Sequence, residues 1–385
     1  MNAGGATRAG HWVGRGMKAR AAILRRKHQD HEVVDIEVDE PLAGEVLVRM
    51  KFAGICHSDN HSKWGTVPMP IVGGHEGAGI VEKLGEGVKR VAVGDHVAMS
   101  FIPACGVCRW CASGRGNLCD LGAKILSGEL VNGGYRYRLD GVGIPGGGGL
   151  GTFSNYAVVD ERSLVKVDHD IPLEWASLVS CGVATGWGAV VNAGNLRSGD
   201  TVAVYGAGGI GINTVRAAVA GGASLVAVID PMETKRDFAK ASGADLVYAT
   251  AAEAHAGLWE HTHGVGIDIC VVTAGVVDSQ IVSEAFQLAR KGGSIVLVGL
   301  ANDYSENTIQ LSGSMLTLFE KRIVGTLYGS CNPSVDIPRL LGMARQGKLE
   351  LDDLVTRRYS LEDINEGFAD MLEGRSIRGL IVHED

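Results

Sequence analysis

The stretch "TVAVYGAGGIGINTVRAAVAGGA", residues 201–223, constrains the fold more than any other. It reads as a strand, a glycine turn and a helix, in that order. Gly206, Gly208 and Gly211 stand as G-x-G-x-x-G. The first glycine permits a tight turn, the second lets the backbone approach a pyrophosphate, and the third lets helix and strand pack closely. The helix N-terminus then offers free N–H groups to phosphate. Asp230 closes the next strand, "LVAVID". A carboxylate there accepts hydrogen bonds from an adenosine ribose and repels a 2′-phosphate, which favours NAD over NADP. Lys235 is close enough in sequence to reach the same ribose. In a chain with 56 glycines the triplet alone also fits a turn made only for packing. The strand before it, the helix after it and the acid beyond favour the dinucleotide site.

The hydrophobic period changes along the chain. From residue 17 to about 101 it is short and β-like, in "AAIL", "VVDIEV", "EVLVRMKFAGI" and "GAGIVEKLGEGV". Residues 122–151, ending in "GIPGGGGLG", read as an irregular surface excursion before strand-like "TFSNYAVV". From "PLEWASLVSCGVATGWGAVVNAG" onward the period is helical. Strands then alternate with helices, which indicates a parallel sheet covered on both faces, an α/β fold. The opening "MNAGGATRAGHWVGRG" lacks the apolar core of a signal peptide. It reads either as a real flexible tail or as a start-site artefact ahead of Met17.

Four of the eight cysteines, Cys105, Cys108, Cys111 and Cys119, fall within fifteen residues. They are either free or redox thiols or a metal set, and their spacing favours the metal set. Four thiolates close a tetrahedral shell and leave no open position, as in a structural zinc. Cys56, His75 and Cys181 are scattered, and each taken separately reads more readily as a core residue than as a ligand. Together they make a three-ligand set with a fourth position open, which a catalytic zinc needs. Cys270 and Cys331 read as structural. No apolar run approaches the length of a membrane helix, and the net charge of −8 argues against a general nucleic-acid surface. Clustered thiols without a signal peptide point to the cytoplasm.

The motifs "GICHSDNH", "GGHEGAG", "CGVCRWCASGRGNLC", "SCGVATGWG", "GAGGIG" and "GRSIRGLIV" together resemble the zinc-dependent medium-chain alcohol dehydrogenase family. The resemblance implies a GroES-like catalytic domain over 17–182 and 327–385, a Rossmann NAD-binding domain over 183–326, and a flexible extension over 1–16. It implies catalytic-zinc ligands Cys56, His75 and Cys181, with Asp59 orienting His75 and Glu76 an acid close to the zinc. It implies structural-zinc ligands Cys105, Cys108, Cys111 and Cys119. Ser58 and His61 match a proton relay, and Val67, Phe101 and Phe153 match substrate-pocket positions. Cofactor positions are His57, Thr185, Gly206, Gly208, Gly209, Gly211, Asp230, Lys235 and Arg378, the last a pyrophosphate contact. His57 departs from the arginine common in the family, so it reads either as a cofactor contact or as a surface histidine. The expected activity is hydride transfer between a primary alcohol or aldehyde and NAD, in a homo-oligomer, dimer or tetramer. "SFIPACGVCRWCASGRGNLCDLGA" and "LVTRRYSLEDINEGFADM" look most like the actinobacterial nicotinoprotein alcohol dehydrogenases, which hold NAD(H) as a prosthetic group re-oxidised by an external acceptor. The rival within the fold is a glutathione-dependent formaldehyde dehydrogenase with exchangeable NAD. It needs an anion-binding arginine, for which Arg115 is the nearest candidate.

Overall fold

The computed structural model describes residues 12–13, 16–65, 67–124, 126–301 and 308–384. The chain forms two compact units. The first comprises Met1–Ser180, Val355–Met371 and Gly379–Asp385; the second comprises Cys181–Leu354 and Leu372–Arg378. The boundaries differ from the sequence reading at the C-terminal side. The helix Pro333–Arg345 belongs to the second unit, where it buries Ile337, Leu340 and Leu341. Most of the expected extension lies outside the described residues, but Trp12–Val13 form a short strand paired with Gly16 and Met17.

In the first unit the strand Glu45–Ile55 is the hub. One edge pairs with Tyr156–Asp160 and then with Arg378–Val382, the other with Ala78–Leu84. Its near-continuous apolar run suits a strand covered on both faces. A second sheet starts from the hairpin of Gly16–Leu24 and Glu32–Asp39, paired from Gly16 opposite Asp39 to Ile23 opposite Glu32.

Part of the expected excursion at 122–151 is in fact a hairpin. Tyr137–Leu139 and Val142–Ile144 pair across Asp140-Gly141, whose φ values are 52° and 78°. Two central residues at positive φ make the tight hairpin turn that Asp-Gly favours. Tyr137 and Arg138 extend the second sheet by pairing with Val38 and Glu37. A buried ion pair fixes the approach: Arg136 donates to both Glu45 oxygens at 2.8 and 2.7 Å.

Phe153 sits inside this unit rather than on an open pocket wall. It is fully buried in a cluster with Ala22, Ala53, Ile55 and Phe368. His31 stacks on Phe368 at 4.8 Å and meets Phe153 edge-on at 5.9 Å. Burial pushes the His31 imidazole down to about 3, and nearby Lys63 adds to the effect. The unfolded chain therefore binds a proton here below about pH 6.5 that the fold refuses, so stability falls as pH drops from there towards 3. Between pH 6.5 and 4 this one group costs on the order of 3 kcal/mol. The fall in Tm over that range is expected to be shallower in His31→Phe. An unchanged slope would show that His31 does not contribute.

Among the described residues the second unit holds six parallel strands. In chain order these are Thr201–Tyr205, Leu225–Ile229, Leu246–Tyr248, Ile267–Val272, Ala289–Leu297 and Arg322–Gly325. Numbered in that order they lie 3-2-1-4-5-6 across the sheet. This is the doubly wound dinucleotide-binding order, with its switch point between strands one and four.

Contrary to the expectation from the sequence, one described helix, Leu173–Ala193, is long and apolar enough to cross a membrane, and 83% of its 18-residue apolar window is buried in the fold. It is a core helix, widened into π turns at Val179–Val183 and Ala189–Ala193.

Candidate active site and metal centres

The hub strand ends at Ile55, and the extended backbone of Cys56 after it caps the short helix His57–His61. That helix buries Asp59, which meets His75 Nδ1 at 2.7 Å. His75 is held on a glycine track. A Cβ on Gly73 would lie 2.7 Å from the Phe153 ring, and one on Gly74, at φ 88°, would strike Thr152. A Cβ on Gly77 would lie 2.5 Å from Met50. The "GGHEG" glycines thus let the chain pass flat against the core while His75 and Glu76 project from it. Gly77 N–H donates to Ser180 Oγ at 3.2 Å, which in turn donates to Ser177 O at 2.6 Å. Cys181 follows directly in the sequence.

Cys56, His75, Glu76 and Cys181 are all buried, and one ligand atom from each lies within 4.8 Å of the others. Two thiols, an imidazole and a carboxylate gathered this closely fit a zinc ion. Burial pushes the Asp59 carboxyl up. Burial would lower His75, but Asp59 and Cys56 outweigh it and hold the imidazole well above its ordinary value. A histidine that gives its Nδ1–H to a carboxylate in this way has its tautomer set by that bond. The sequence reading placed Glu76 near this set; its carboxylate is a member of it.

The four loop cysteines form the second group. Cys105 and Cys111 Sγ are 3.9 Å apart, and Cys108 and Cys119 Sγ are 4.0 Å apart. Thiolates bound tetrahedrally to zinc at about 2.3 Å sit about 3.8 Å apart. Backbone N–H groups of Cys111 and Asp120 pull Cys108 down to about 6, whereas burial pushes Cys111 and Cys119 up. Four thiols this close cannot all ionise without a cation among them. None of the eight cysteines forms a disulfide. Arg90 anchors the loop by donating to the Ala104 and Cys105 carbonyls at 3.2 Å each. Arg109 and Arg115 both lie over the Trp110 ring, at 4.3 and 5.7 Å, so Arg115 has a packing role of its own.

The glycine turn of the second unit behaves as its spacing requires. Gly206 has φ 97°, and a Cβ there would lie 2.9 Å from Ala274 N. A Cβ on Gly211 would fall on the Gly206 carbonyl. A Cβ on Gly208 would meet nothing, which leaves the space a pyrophosphate needs. Asp230 is buried, and its two oxygens accept from Ala207 N–H at 2.8 Å and Met232 N–H at 2.9 Å. It therefore ties the glycine turn to the loop that follows the second strand. Arg378 lies against Gly209 and Gly182, its Nη1 3.1 Å from a Cβ built at either. Thr185 is buried in the helix Ala184–Gly188.

The remaining expected residues stand in the first unit. Ser58 is exposed, with Oγ 3.7 Å from Cys56 Sγ. His61 is buried, and its Nε2 lies 3.3 Å from Nδ1 of half-buried His57. The two histidines are thus a pair, although the sequence reading assigned them to different tasks. Phe101 meets the His75 ring edge-on at 5.5 Å, and Val67 is half-buried.

Residues 42–169 match the alcohol dehydrogenase GroES-like domain and residues 209–345 the zinc-binding dehydrogenase domain. The chain is 49% identical to the NDMA-dependent alcohol dehydrogenase of Amycolatopsis methanolica, over 95% of this chain and 99% of that one. It is 44% identical to alcohol dehydrogenase B of Mycobacterium tuberculosis, over 96% and 99% of the two chains. The crystal structure of benzyl alcohol dehydrogenase from Acinetobacter calcoaceticus matches with a TM-score of 0.88 at 30% identity, covering 95% of this chain and 99% of that one. With the metal clusters, the glycine turn and these full-length likenesses in agreement, the chain belongs to the zinc-dependent medium-chain alcohol dehydrogenase family.

Proposed function

We propose that this dehydrogenase oxidises a primary alcohol to its aldehyde, and runs the reverse reaction, with an NAD(H) that stays bound between turnovers and is re-oxidised by an external acceptor. The observation that carries the prosthetic-cofactor reading is the 49% identity, over 95% of the chain, to an NDMA-dependent relative.

Cys56, His75 and Cys181 are the catalytic-zinc ligands and Cys105, Cys108, Cys111 and Cys119 the structural set, as the thiol clustering supports. When bound, the catalytic zinc supplies a Lewis acid that lowers the pKa of the alcohol, and NAD supplies the hydride acceptor. The chain's own residues orient the reactants and move the proton. Asp59 fixes His75 through the 2.7 Å bond to Nδ1. Ser58 Oγ takes the alcohol proton beside Cys56. His61 Nε2 and His57 Nδ1 share it across 3.3 Å, and the less buried His57 releases it to water. Phe101 and Val67 line the substrate side. Gly206, Gly208, Gly209 and Gly211 seat the pyrophosphate with Arg378, while Asp230 and Lys235 hold the adenosine ribose.

The strand Arg322–Gly325 is one of the two edges of the parallel sheet among the described residues. Leu318, which precedes it, is 75% exposed. An open strand edge beside exposed apolar side chains favours pairing with a second copy. Eight cysteines without a disulfide suit the reducing cytoplasm.

The test is direct. Purified protein, extensively desalted, is expected to keep a nicotinamide absorbance and to turn over alcohol with an artificial acceptor but not with added NAD. Rapid exchange of the nucleotide would sink the prosthetic reading.

A further inference from the structure

We infer that Leu372–Arg378 is a strap along the adenosine side of the dinucleotide site and that Ser376 is a cofactor-binding residue, donating its hydroxyl to the ribose-phosphate of NAD. The inference rests on the dinucleotide reading of the glycine turn.

The strap is an anomaly in the chain's organisation. Residues on either side of it belong to the first unit, yet these seven belong to the parallel-sheet unit. Burial alternates along it. Gly374, Ser376 and Arg378 are buried, while Glu373 and Arg375 are exposed.

The buried positions mark a line across the nucleotide end of the sheet. Gly374, at φ 69°, terminates the helix Ile364–Leu372, which alone explains its conformation. Helix termination does not explain its contacts. A Cβ there would strike the Met232 sulfur and come within 3.1 Å of Lys235 Cε. Met232 N–H is the group bonded to Asp230, so the strap begins on the loop that Asp230 organises. It ends with Arg378 against Gly209, the first residue of the helix Gly209–Ala220. An adenosine ribose followed by a pyrophosphate runs between these two points in a doubly wound sheet.

Ser376 lies midway between Gly374 and Arg378. It is 5% exposed, and its Oγ has no hydrogen-bond partner among the described residues. Buried hydroxyls in folded proteins are almost always bonded. A phosphate or ribose oxygen of the dinucleotide supplies the missing acceptor, and the line from Gly374 to Arg378 brings it there.

The test uses Ser376→Ala and Ser376→Thr with two readouts. The first is the Kd for ADP-ribose, which carries the ribose and pyrophosphate but no nicotinamide, on protein freed of nucleotide. The second is the rate at which bound NADH leaves when excess ADP-ribose is added as a chase. Ser376→Ala is expected to raise both about tenfold, the usual effect of one hydrogen bond to a charged or polar group. Ser376→Thr, which keeps the hydroxyl, is expected to stay within about threefold of the parent. An ADP-ribose Kd within twofold of the parent in Ser376→Ala, with zinc content and Tm unchanged, would overturn the inference. The parent's own retention of NAD reports separately on the prosthetic reading. Free exchange in a parent whose ADP-ribose affinity still depends on Ser376 overturns that reading and leaves the strap intact.

Discussion

Cys56→Ser is expected to lower kcat by about a thousandfold or more and to remove the catalytic metal while the loop metal stays. The reason lies in the donor set. A serine hydroxyl is almost isosteric with the thiol but is not ionised near neutral pH, so the cluster loses a soft anionic ligand. Cys56 also directly follows the hub strand and caps the helix that carries Ser58, Asp59 and His61. Its substitution leaves those side chains on their backbone, so the loss reads as lost Lewis-acid assistance rather than lost fold. Several kcal/mol of transition-state stabilisation correspond to three or more powers of ten in rate. The checks are steady-state kinetics beside metal analysis. Near-parental kcat in a protein that has lost one metal would remove Cys56, and with it the scattered set, from the reaction.

The second large effect is on stability. Cys108→Ser is expected to lose the loop metal and lower Tm by roughly 10 °C or more, with new protease cleavage between residues 105 and 119. Little of the loop is buried: within 105–119 the buried residues are Gly116, Asn117 and Cys119. The helix Arg109–Ala112 is four residues long and buries none of them. Val107 is 85% exposed. Arg90 fixes only the loop's entry. Structural zinc supplies folding free energy that such a segment cannot draw from a core, on the order of 10 kcal/mol in isolated zinc-binding peptides. Metal content, thermal unfolding and limited proteolysis read the effect independently. A variant with both metals and the parental Tm would show that the thiols are not a metal site. Activity per catalytic metal is expected to fall far less than in Cys56→Ser.

What was legible in the sequence follows from how local each constraint is. The glycine turn was readable because two of its requirements, the positive φ of Gly206 and the clearance of Gly211 from the Gly206 carbonyl, lie within one strand–turn–helix unit. The loop thiols were readable because all four ligands lie within one short segment. The Asp140-Gly141 hairpin had a strong local signal too, but the glycines of "GIPGGGGLG" beside it made the whole region read as irregular. Phe153 shows the opposite limit. Its burial depends on His31 and Phe368, which come from distant parts of the chain. The pairing of His57 with His61 sits at an i, i+4 spacing that a helix would bring together, so it was present in the pattern and unused. Ser376 had no local signature, because its burial without a partner arises from residues far away in sequence.

The buried helix Leu173–Ala193 has a consequence for how the chain is made. Its later part, Ala184–Gly188, packs against Gly209–Ala220 in the finished unit. That cover is synthesised after it. At typical translation rates the gap amounts to roughly one to five seconds. For that interval the nascent chain displays a segment apolar enough to interest a membrane or a chaperone. The short wait follows from placing the helix immediately ahead of the first βα unit, and circular permutants that separate the two are expected to need chaperones that the native order does not.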